Sequence, residues 1–164
     1  MAIPVEKGSD NTILRTVSKP VAKITPEIRQ FAQEMVKSME ALSGVGIAAP
    51  QCGRNLRMAI VRLNPTEKNE IIFCMVNPVI VDASEELEDG EEGCLSLPGV
   101  WGKVKRHEHL LVRYQNLKGQ EQTLLLEHFN ARIIQHEVDH LDGKLFIDRA
   151  HTLEKKKVRK LAKK

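Results

Sequence analysis

The sequence contains few cysteines and no long apolar run. Only three of its 164 residues are cysteine, at positions 52, 74 and 94. This small, odd number argues against a disulfide framework and favours a reducing compartment such as the cytosol. No apolar stretch approaches the roughly 20 residues that cross a bilayer, so no membrane association is expected. The first residues lack the apolar core of a secretory signal, and we expect a cytoplasmic protein, with an organellar location as the alternative.

Repeats, low-complexity tracts and internal linkers are also absent, which indicates one domain. A length of 164 residues, with 41% hydrophobic and 29% charged residues, is sufficient for a single core. The charge is unevenly distributed: residues 151–164 contain seven Lys/Arg and one acid, whereas the preceding residues contain 18 Lys/Arg and 21 Asp/Glu. We therefore predict a single domain over residues 1–150 and a basic C-terminal helix or tail over residues 151–164.

Hydrophobic periodicity predicts two long helices and several strands. One helix begins at Thr25-Pro26, an N-cap followed by proline at the first helical position, and ends near Ser43-Gly44. The other runs from about Asn130 to Asp142 and ends at Gly143. Residues 1–24 are predicted to be irregular. Segments rich in β-branched residues or flanking a hairpin turn predict strands over residues 56–63, 71–81, 108–115 and 121–127. Strands grouped ahead of a late helix favour an α+β fold.

The second predicted helix carries His136, Glu137 and His140. Four residues turn an α-helix through about 400°, so both histidines lie on one face and can bind the same ion. This HExxH pattern occurs in metalloproteases, where the glutamate holds a water molecule and accepts its proton. The alternative is a chance match on an amphipathic helix.

A catalytic metal ion of this kind needs a third protein ligand and an open position. The metzincin pattern is excluded because Phe146 stands where its third histidine would be. Glu154 is a weak candidate because lysines surround it. Cys94 differs from the other donors because it lies between glycine and apolar residues, where a thiolate needs a cation as partner. The remaining candidates are Cys52, Cys74, His107, His109, His128 and His151.

Two loops have an unusual composition. Residues 44–51 contain two glycines and small side chains, which leave the backbone accessible to another chain. They do not match a phosphate-binding loop, and a helix-terminating loop that needs glycine is the alternative. Gln51 offers an amide donor that can stabilise an oxyanion. Residues 91–99 contain Cys94 and follow an acidic segment, residues 85–91, which we expect to be solvated.

Three motifs occur in order: GVGIAAPQ at residues 44–51, EGCLS at residues 92–96 and QHEVDHLDG at residues 135–143. Together they resemble peptide deformylases of a short, type 1-like form, and Leu14-Arg15 and Pro20-Val21 extend the resemblance. The resemblance implies antiparallel β-sheets around a central metal-binding helix, with an N-terminal helix and a C-terminal helix or tail. It also implies a catalytic domain over residues 1–150 with one divalent metal ion, Fe(II) in the cell and Zn, Ni or Co in purified protein.

The same resemblance implies roles for individual residues. Cys94, His136 and His140 would bind the metal. Glu137 would be the general acid and base, while Gln51 and the backbone N–H of Leu95 would contact the oxyanion. The substrate would be a formylated nascent polypeptide, hydrolysed to formate and a free N-terminus. Arg106 would have a structural role by pairing with Glu92. The expected substrate-binding residues are Gly44, Val45, Gly46, Glu92, Gly93, Phe129, Arg132 and Ile133.

Two residues depart from what the family usually has at their positions. Trp101 stands where many relatives carry a basic or polar residue, and we expect it to alter contacts beyond the methionine. His128 stands where relatives often have glycine, and we expect it to be a surface residue.

Two other classes of function remain as alternatives. Another HExxH metallopeptidase would have no need of Cys94. A non-catalytic structural-metal or RNA-binding protein would need a fourth ligand, such as Cys52 or His128. The basic segment over residues 151–164 is a candidate for contact with ribosomal RNA or a solubilising end. We expect a monomer.

Overall fold

The structure, a computed structural model, describes residues 1–157. Over these residues the chain forms two antiparallel sheets, and the histidine-bearing helix contacts strands of both. The α+β class predicted from the sequence is confirmed. The helices are α1 (Thr12–Arg15), α2 (Pro26–Ala41) and α3 (His128–Leu141). The strands are β1 (Gly46–Ala48), β2 (Met58–Leu63), β3 (Ile71–Ala83), β4 (Leu87–Cys94), β5 (Leu97–His107), β6 (His109–Gln115), β7 (Glu121–Glu127) and β8 (Thr152–Lys155).

The larger sheet has five strands in the order β1-β2-β3-β6-β7, all antiparallel. The predicted hairpin joins β6 to β7, and Gly119 in its turn has φ +81°, which glycine adopts without steric cost. The strand predicted from Leu56 begins at Met58, and the strand predicted to end at Val81 continues to Ala83. This sheet forms one wall of the core.

The smaller sheet has the order β4-β5-β8. Strand β4 includes much of the acidic segment that we expected to be solvated: its acids from Glu88 to Glu91 are exposed, as expected, but from Leu87 onward the backbone belongs to a sheet. Its exposed acids lie opposite bases of β5: Asp89 pairs with Lys105 and Glu91 with Lys103. Opposite charges across a strand pair stabilise the pairing, which explains how so acidic a segment becomes a strand.

The C-terminal segment, predicted as a helix or tail, contains a strand instead over Thr152–Lys155. This strand pairs with β5 from Val100 to Lys103. Leu153, its apolar residue, is exposed, so a helix here would have little apolar surface to bury, whereas the β5 edge offers backbone hydrogen bonds. Residues 158–164, the rest of the predicted segment, lie outside the described residues.

The ends of the helices follow the sequence signals. The Thr25 hydroxyl accepts a hydrogen bond from the Ile28 N–H at the start of α2. Gly143 follows α3 with φ +70°, and a side chain there would contact the Arg15 carbonyl. Within the segment predicted to be irregular, Asn11 caps the short helix α1 through Ile13 and Leu14.

The two long helices pack on the larger sheet through separate apolar clusters. One cluster joins α2 to the sheet and includes Ile28, Phe31, Met35, Ile47 and Ile60. The second joins α3 to the sheet and includes Leu110, Val112, Leu126, Ile133 and Ile134. No helix within residues 1–157 is long and apolar enough to span a bilayer. The packing fixes α3 against the sheet, and the residues of α3 that face β4 form the site.

Candidate metal centre

Three side chains from two elements meet where β4 ends against α3. Cys94 is the last residue of β4, and His136 and His140 lie one turn apart on α3. Their donor atoms all lie within 4.8 Å of one another, and Cys94 Sγ is 3.3 Å from His140 Nε2. Metal bonds of about 2.0 to 2.3 Å from sulfur and nitrogen fit donors this far apart. Within residues 1–157, this is the only such group of three donors.

The other candidate donors lie elsewhere. Cys52 and Cys74 are buried in the cluster between α2 and the sheet, where burial raises the pKa of each thiol to about 12. His128 is a surface residue whose Nδ1 lies 3.0 Å from Glu88 Oε2. Glu154 is exposed on β8. Three further histidines also lie outside the group of donors: His107, His109 and His151.

The Cys94 sulfur is stabilised as a thiolate. Burial raises the pKa of the thiol, but the imidazoles of His140 and His136 lower it by more, so the pKa lies well below its ordinary value. A thiolate is the form of cysteine that binds metal. The nitrogen donors and this sulfur therefore suit a divalent ion that accepts mixed sulfur and nitrogen ligands.

Glu92 orients the first histidine. Its Oε1 lies 2.8 Å from His136 Nδ1, so the other ring nitrogen, Nε2, is the one available to a metal ion. The same carboxylate accepts hydrogen bonds from Arg106 Nε at 2.9 Å and Arg132 Nη1 at 2.8 Å. Burial raises the pKa of Glu92, but His136 and Arg106 lower it by more, so the net shift of the pKa is downward. A charged carboxylate behind a metal-binding histidine fixes the orientation of the imidazole ring.

Arg106 extends this network to Asp139, a buried residue that the sequence analysis did not single out. Arg106 Nη1 lies 2.6 Å from Asp139 Oδ2, and Arg149 contributes bonds of 2.7 and 2.8 Å to the same carboxylate. Asp139 stands between the two histidines of the motif, and an acid on a buried helix face is the signal that could have identified it. The network joins α3, β5 and the segment that precedes β8.

Glu137 is buried beside the group. Its Oε2 has no hydrogen-bond partner within residues 1–157, and a Cβ added to Gly46 would collide with its carboxylate. Burial raises the pKa of Glu137 and the nearby histidines lower it, with a net value of about 7. A carboxylate with a near-neutral pKa suits proton transfer in both directions.

Gln51 approaches the centre from the other side. Its Nε2 lies 3.6 Å from Cys94 Sγ and donates to Ser96 Oγ at 3.0 Å, while its Oε1 accepts from the Ala48 N–H at 2.8 Å. The N-terminal segment supports both loops, since Glu6 N–H donates to the Gln51 carbonyl and Gly8 N–H to the Ser96 carbonyl. The sequence analysis assigned no role to this segment.

A cavity of about 1040 Å³ opens at the centre. The side chain of Arg132 lines it, while the guanidinium also donates to the carbonyls of Val104 and Glu88 at 2.8 and 2.7 Å. The cavity is also lined by residues to which the sequence analysis assigned no role, among them Ala2, Ile3, Pro4, Val5, Lys7 and Ser38. The predicted residues that line it are Gly44, Val45, Gly46, Gln51, Glu92, Gly93, Cys94, Leu95, Phe129, Arg132, Ile133, His136 and Glu137.

The sequence and the fold are shared with known proteins. The sequence model of the polypeptide deformylase family matches residues 4–156. The chain belongs to the polypeptide deformylase family. A peptide deformylase of Desulforudis audaxviator is 48% identical over 145 residues, 88% of this chain and 92% of the relative.

Solved structures agree with this assignment. The Thermotoga maritima peptide deformylase superposes with a TM-score of 0.85 at 34% identity, covering 93% of this chain and 99% of that one. The Acinetobacter baumannii class I type b enzyme with bound Met-Ala-Ser superposes with a TM-score of 0.83 at 41% identity, covering 91% of this chain and 98% of that one.

The family assignment confirms the resemblance that the three sequence motifs indicated. The protein is a metal-dependent hydrolase that removes the formyl group from the N-terminus of polypeptides. A single catalytic metal ion accompanies this activity, and the cluster of Cys94, His136 and His140 has the donors for it. Neither a different metallopeptidase nor a non-catalytic metal or RNA-binding protein is favoured.

Proposed function

We propose that the protein deformylates nascent formylmethionyl polypeptides at one divalent ion held by Cys94, His136 and His140. The observation that carries this proposal is a thiolate and two imidazoles within 4.8 Å of one another, beside a buried carboxylate and open to a cavity. When bound, a divalent ion polarises the formyl carbonyl and lowers the pKa of the attacking water. As the family membership implies, we expect Fe(II) in the cell and Zn, Ni or Co in purified protein, and imidazole and thiolate ligands suit ions of this class.

Glu137 is the acid and base of the proposed reaction. Its free Oε2 accepts a proton from water as the water oxygen attacks the formyl carbon. The carboxyl group then returns the proton to the amine as the C–N bond breaks, which yields formate and a free N-terminus. The Gln51 amide and the Leu95 backbone N–H donate hydrogen bonds to the developing oxyanion. Each group thus stabilises charge that appears only during the reaction.

The cavity supplies the substrate site. The Gly44–Gly46 backbone pairs with the peptide as an added strand, because a β-strand edge with small side chains lets another backbone approach. Val45, Phe129 and Ile133 provide apolar surface for the methionine side chain, together with the stem of Arg132. Gly93, also expected to bind substrate, lines the β4 side of the cavity, where the Trp101 ring takes up the space that a side chain would fill.

Formate release from formyl-Met-Ala-Ser under anaerobic conditions with Fe(II) tests this proposal. Glu137→Gln should lower kcat/KM by about 10²- to 10⁴-fold because it removes the general base. Metal content should remain that of the parent, since Glu137 is not among the three donors. A chelator should abolish turnover in the parent, and added Fe(II) should restore it. Internal cleavage of unformylated peptides without formate release would instead identify another metallopeptidase.

The coordination sphere can be tested with a cobalt-substituted sample. Cys94→Ala should remove the sulfur-to-metal absorption, whereas Cys52→Ala should leave the spectrum unchanged because Cys52 is buried in another cluster. A spectrum that changes with Cys52→Ala or His128→Ala would support a closed structural site with four protein ligands.

The C-terminal segment is proposed to contact ribosomal RNA. Lys155, Lys156 and Lys157 are exposed, and residues 158–164, outside the described part, add four further bases. Removing residues 158–164 keeps β8 and should weaken salt-dependent cosedimentation with ribosomes, and an unchanged, salt-insensitive signal would refute this contact.

We expect a monomer by size-exclusion chromatography. We also propose the cytoplasm as the location, because a reducing compartment keeps Cys94 available as a metal ligand.

A further inference from the structure

The single tryptophan of the chain lies at the wall of the cavity. Trp101 is the cross-strand partner of Gly93, the residue before Cys94. A Cβ on Gly93 would lie 2.8 Å from the six-membered ring of Trp101, so the ring covers the backbone next to the metal-binding cysteine. Trp101 lines the same cavity and is 38% exposed. It is therefore an aromatic surface that a bound molecule can reach.

The C-terminal segment holds this ring in place. Lys156 Nζ lies over the indole, 5.4 Å from the ring centroid, and donates to both Glu91 oxygens at 3.1 Å. The Lys156 backbone N–H also donates to the Gly99 carbonyl at 2.7 Å, next to the β5–β8 pairing. A cation over an aromatic face is attracted by the ring and limits its movement. Lys156 is therefore a positioning residue for Trp101.

We propose that Trp101, positioned by Lys156, is a specificity-determining residue that favours apolar or aromatic side chains in the two residues after the formylmethionine. The proposal rests on the proposed deformylase activity and deepens it. A peptide held along the Gly44–Gly46 backbone with its formyl group at Cys94 leaves the cavity past Gly93 and the Trp101 ring. The indole gains contact area from a large apolar side chain and none from glycine.

The chemistry of the wall sets the direction of the preference. Lys156 is paired with the Glu91 carboxylate, so the ion pair beside Trp101 adds no net charge that would attract a charged side chain. Aromatic and branched apolar side chains are thus the class that this wall accepts. The C-terminal segment becomes part of substrate selection as well as of the fold.

Kinetics on matched peptides test the proposal. The substrates are formyl-Met-Ala-Gly-amide, formyl-Met-Phe-Gly-amide and formyl-Met-Ala-Phe-amide. In the parent, at least one phenylalanine peptide should have a higher kcat/KM than the glycine peptide. Trp101→Ala should lower that ratio about three- to tenfold, which is the range expected for loss of an aromatic contact. Trp101→Phe should keep most of the ratio because it retains an aromatic ring.

The role of Lys156 is tested by a matched pair of variants. Lys156→Gln should lower the ratio about two- to threefold because the ring loses its cation. Lys155→Gln removes the same charge from the preceding residue and should leave the ratio at the parent value. A Trp101→Ala ratio within about twofold of the parent for both phenylalanine peptides would overturn the proposal.

A binding measurement separates this inference from the reaction. The metal-loaded Glu137→Gln variant is titrated with each peptide while the emission of the single tryptophan is recorded. At least one phenylalanine peptide should shift the emission and bind more tightly than the glycine peptide. Unchanged emission and equal affinities would overturn the proposal. Absence of formate release from every peptide with the parent would refute the proposed function, whereas the emission would still decide the role of Trp101.

Discussion

Glu92 Oε1 lies 2.8 Å from His136 Nδ1, and this one contact connects a proposed metal ligand to the buried ion pairs of the fold. Glu92 is on β4 and His136 is on α3, so the contact also joins the small sheet to the central helix. The remaining lone pairs of Glu92 accept hydrogen bonds from Arg106 and Arg132. The carboxylate is thus held from three directions, and the imidazole that it orients has little rotational freedom.

Glu92→Gln should weaken metal affinity about 10- to 100-fold, the usual effect of losing a residue that orients a metal-binding histidine. The amide can still contact His136, but it carries no negative charge to balance the two guanidinium groups. Competition with a chromophoric chelator measures the affinity. Glu91→Gln, at the neighbouring exposed position of β4, is the control and should retain parent affinity. Equal affinity for both variants would contradict the orienting role.

Gly46→Ala should lower kcat/KM about 10²- to 10⁴-fold, because the new methyl group occupies the position of the Glu137 carboxylate and displaces the proposed general base. Metal content should stay at the parent level. Gly44→Ala is the comparison: its methyl group would meet the flexible side chains of Leu95 and Met39, at 2.9 and 3.3 Å, which can shift. A larger loss for Gly44→Ala than for Gly46→Ala would argue against this account of Glu137.

Asp139→Asn should lower the free energy of unfolding by about 3 kcal/mol, since it leaves a buried guanidinium partly uncompensated. Arg106 and Arg149 both bond to the Asp139 carboxylate. Asp142→Asn, three residues later, breaks a more exposed pair with Arg57 and should cost under about 1 kcal/mol. Urea unfolding of metal-free samples measures both, and similar losses would show that the buried network adds no stability.

Stability should depend on pH through Asp148 and Arg15. Burial raises the pKa of Asp148, but Arg15 and the Leu145 N–H lower it by more, so the folded-state pKa lies below the ordinary 3.8. The stabilisation is then present above about pH 4 and is lost as the pH falls through the lower folded-state pKa. Asp148→Asn should therefore reduce the free energy of unfolding by about 0.5 to 1 kcal/mol at pH 7, because solvent screens this half-exposed pair.

The difference between Asp148→Asn and the parent should shrink toward zero as the pH falls below the lowered folded-state pKa of Asp148. Urea unfolding at several pH values measures it. Asp10→Asn, at an exposed position in the same N-terminal region, should match the parent throughout. A difference that persists unchanged in acid would show that the loss at Asp148 does not come from its charge.

The sequence predicted the parts of the site that follow from local geometry. The i, i+4 spacing of His136 and His140 places both rings on one helix face whatever the surrounding fold. Likewise, the cap at Thr25-Pro26 and the glycine after α3 identified the helix ends, because capping depends on neighbouring residues. Asp139 was missed because its partners, Arg106 and Arg149, lie on other parts of the chain. Only the tertiary structure decides whether an acid on a helix is solvated or paired.

Strand β8 could not be predicted from the local sequence. Thr152–Lys155 has no apolar alternation that would predict a strand, and its pairing depends on the free edge of β5. The acidic strand β4 likewise forms because the bases of β5 lie opposite its acids.

The order and spacing of GVGIAAPQ, EGCLS and QHEVDHLDG alone were sufficient to identify the family and to place two histidines on one face of a helix. Residue spacing along one helix is a local property, so it survives without knowledge of the fold. Only the tertiary structure brought Cys94 to 3.3 Å from His140, buried Glu137 against Gly46 and set Lys156 over Trp101. These relationships join residues far apart in the chain, and their distances are set by how the two sheets pack around α3.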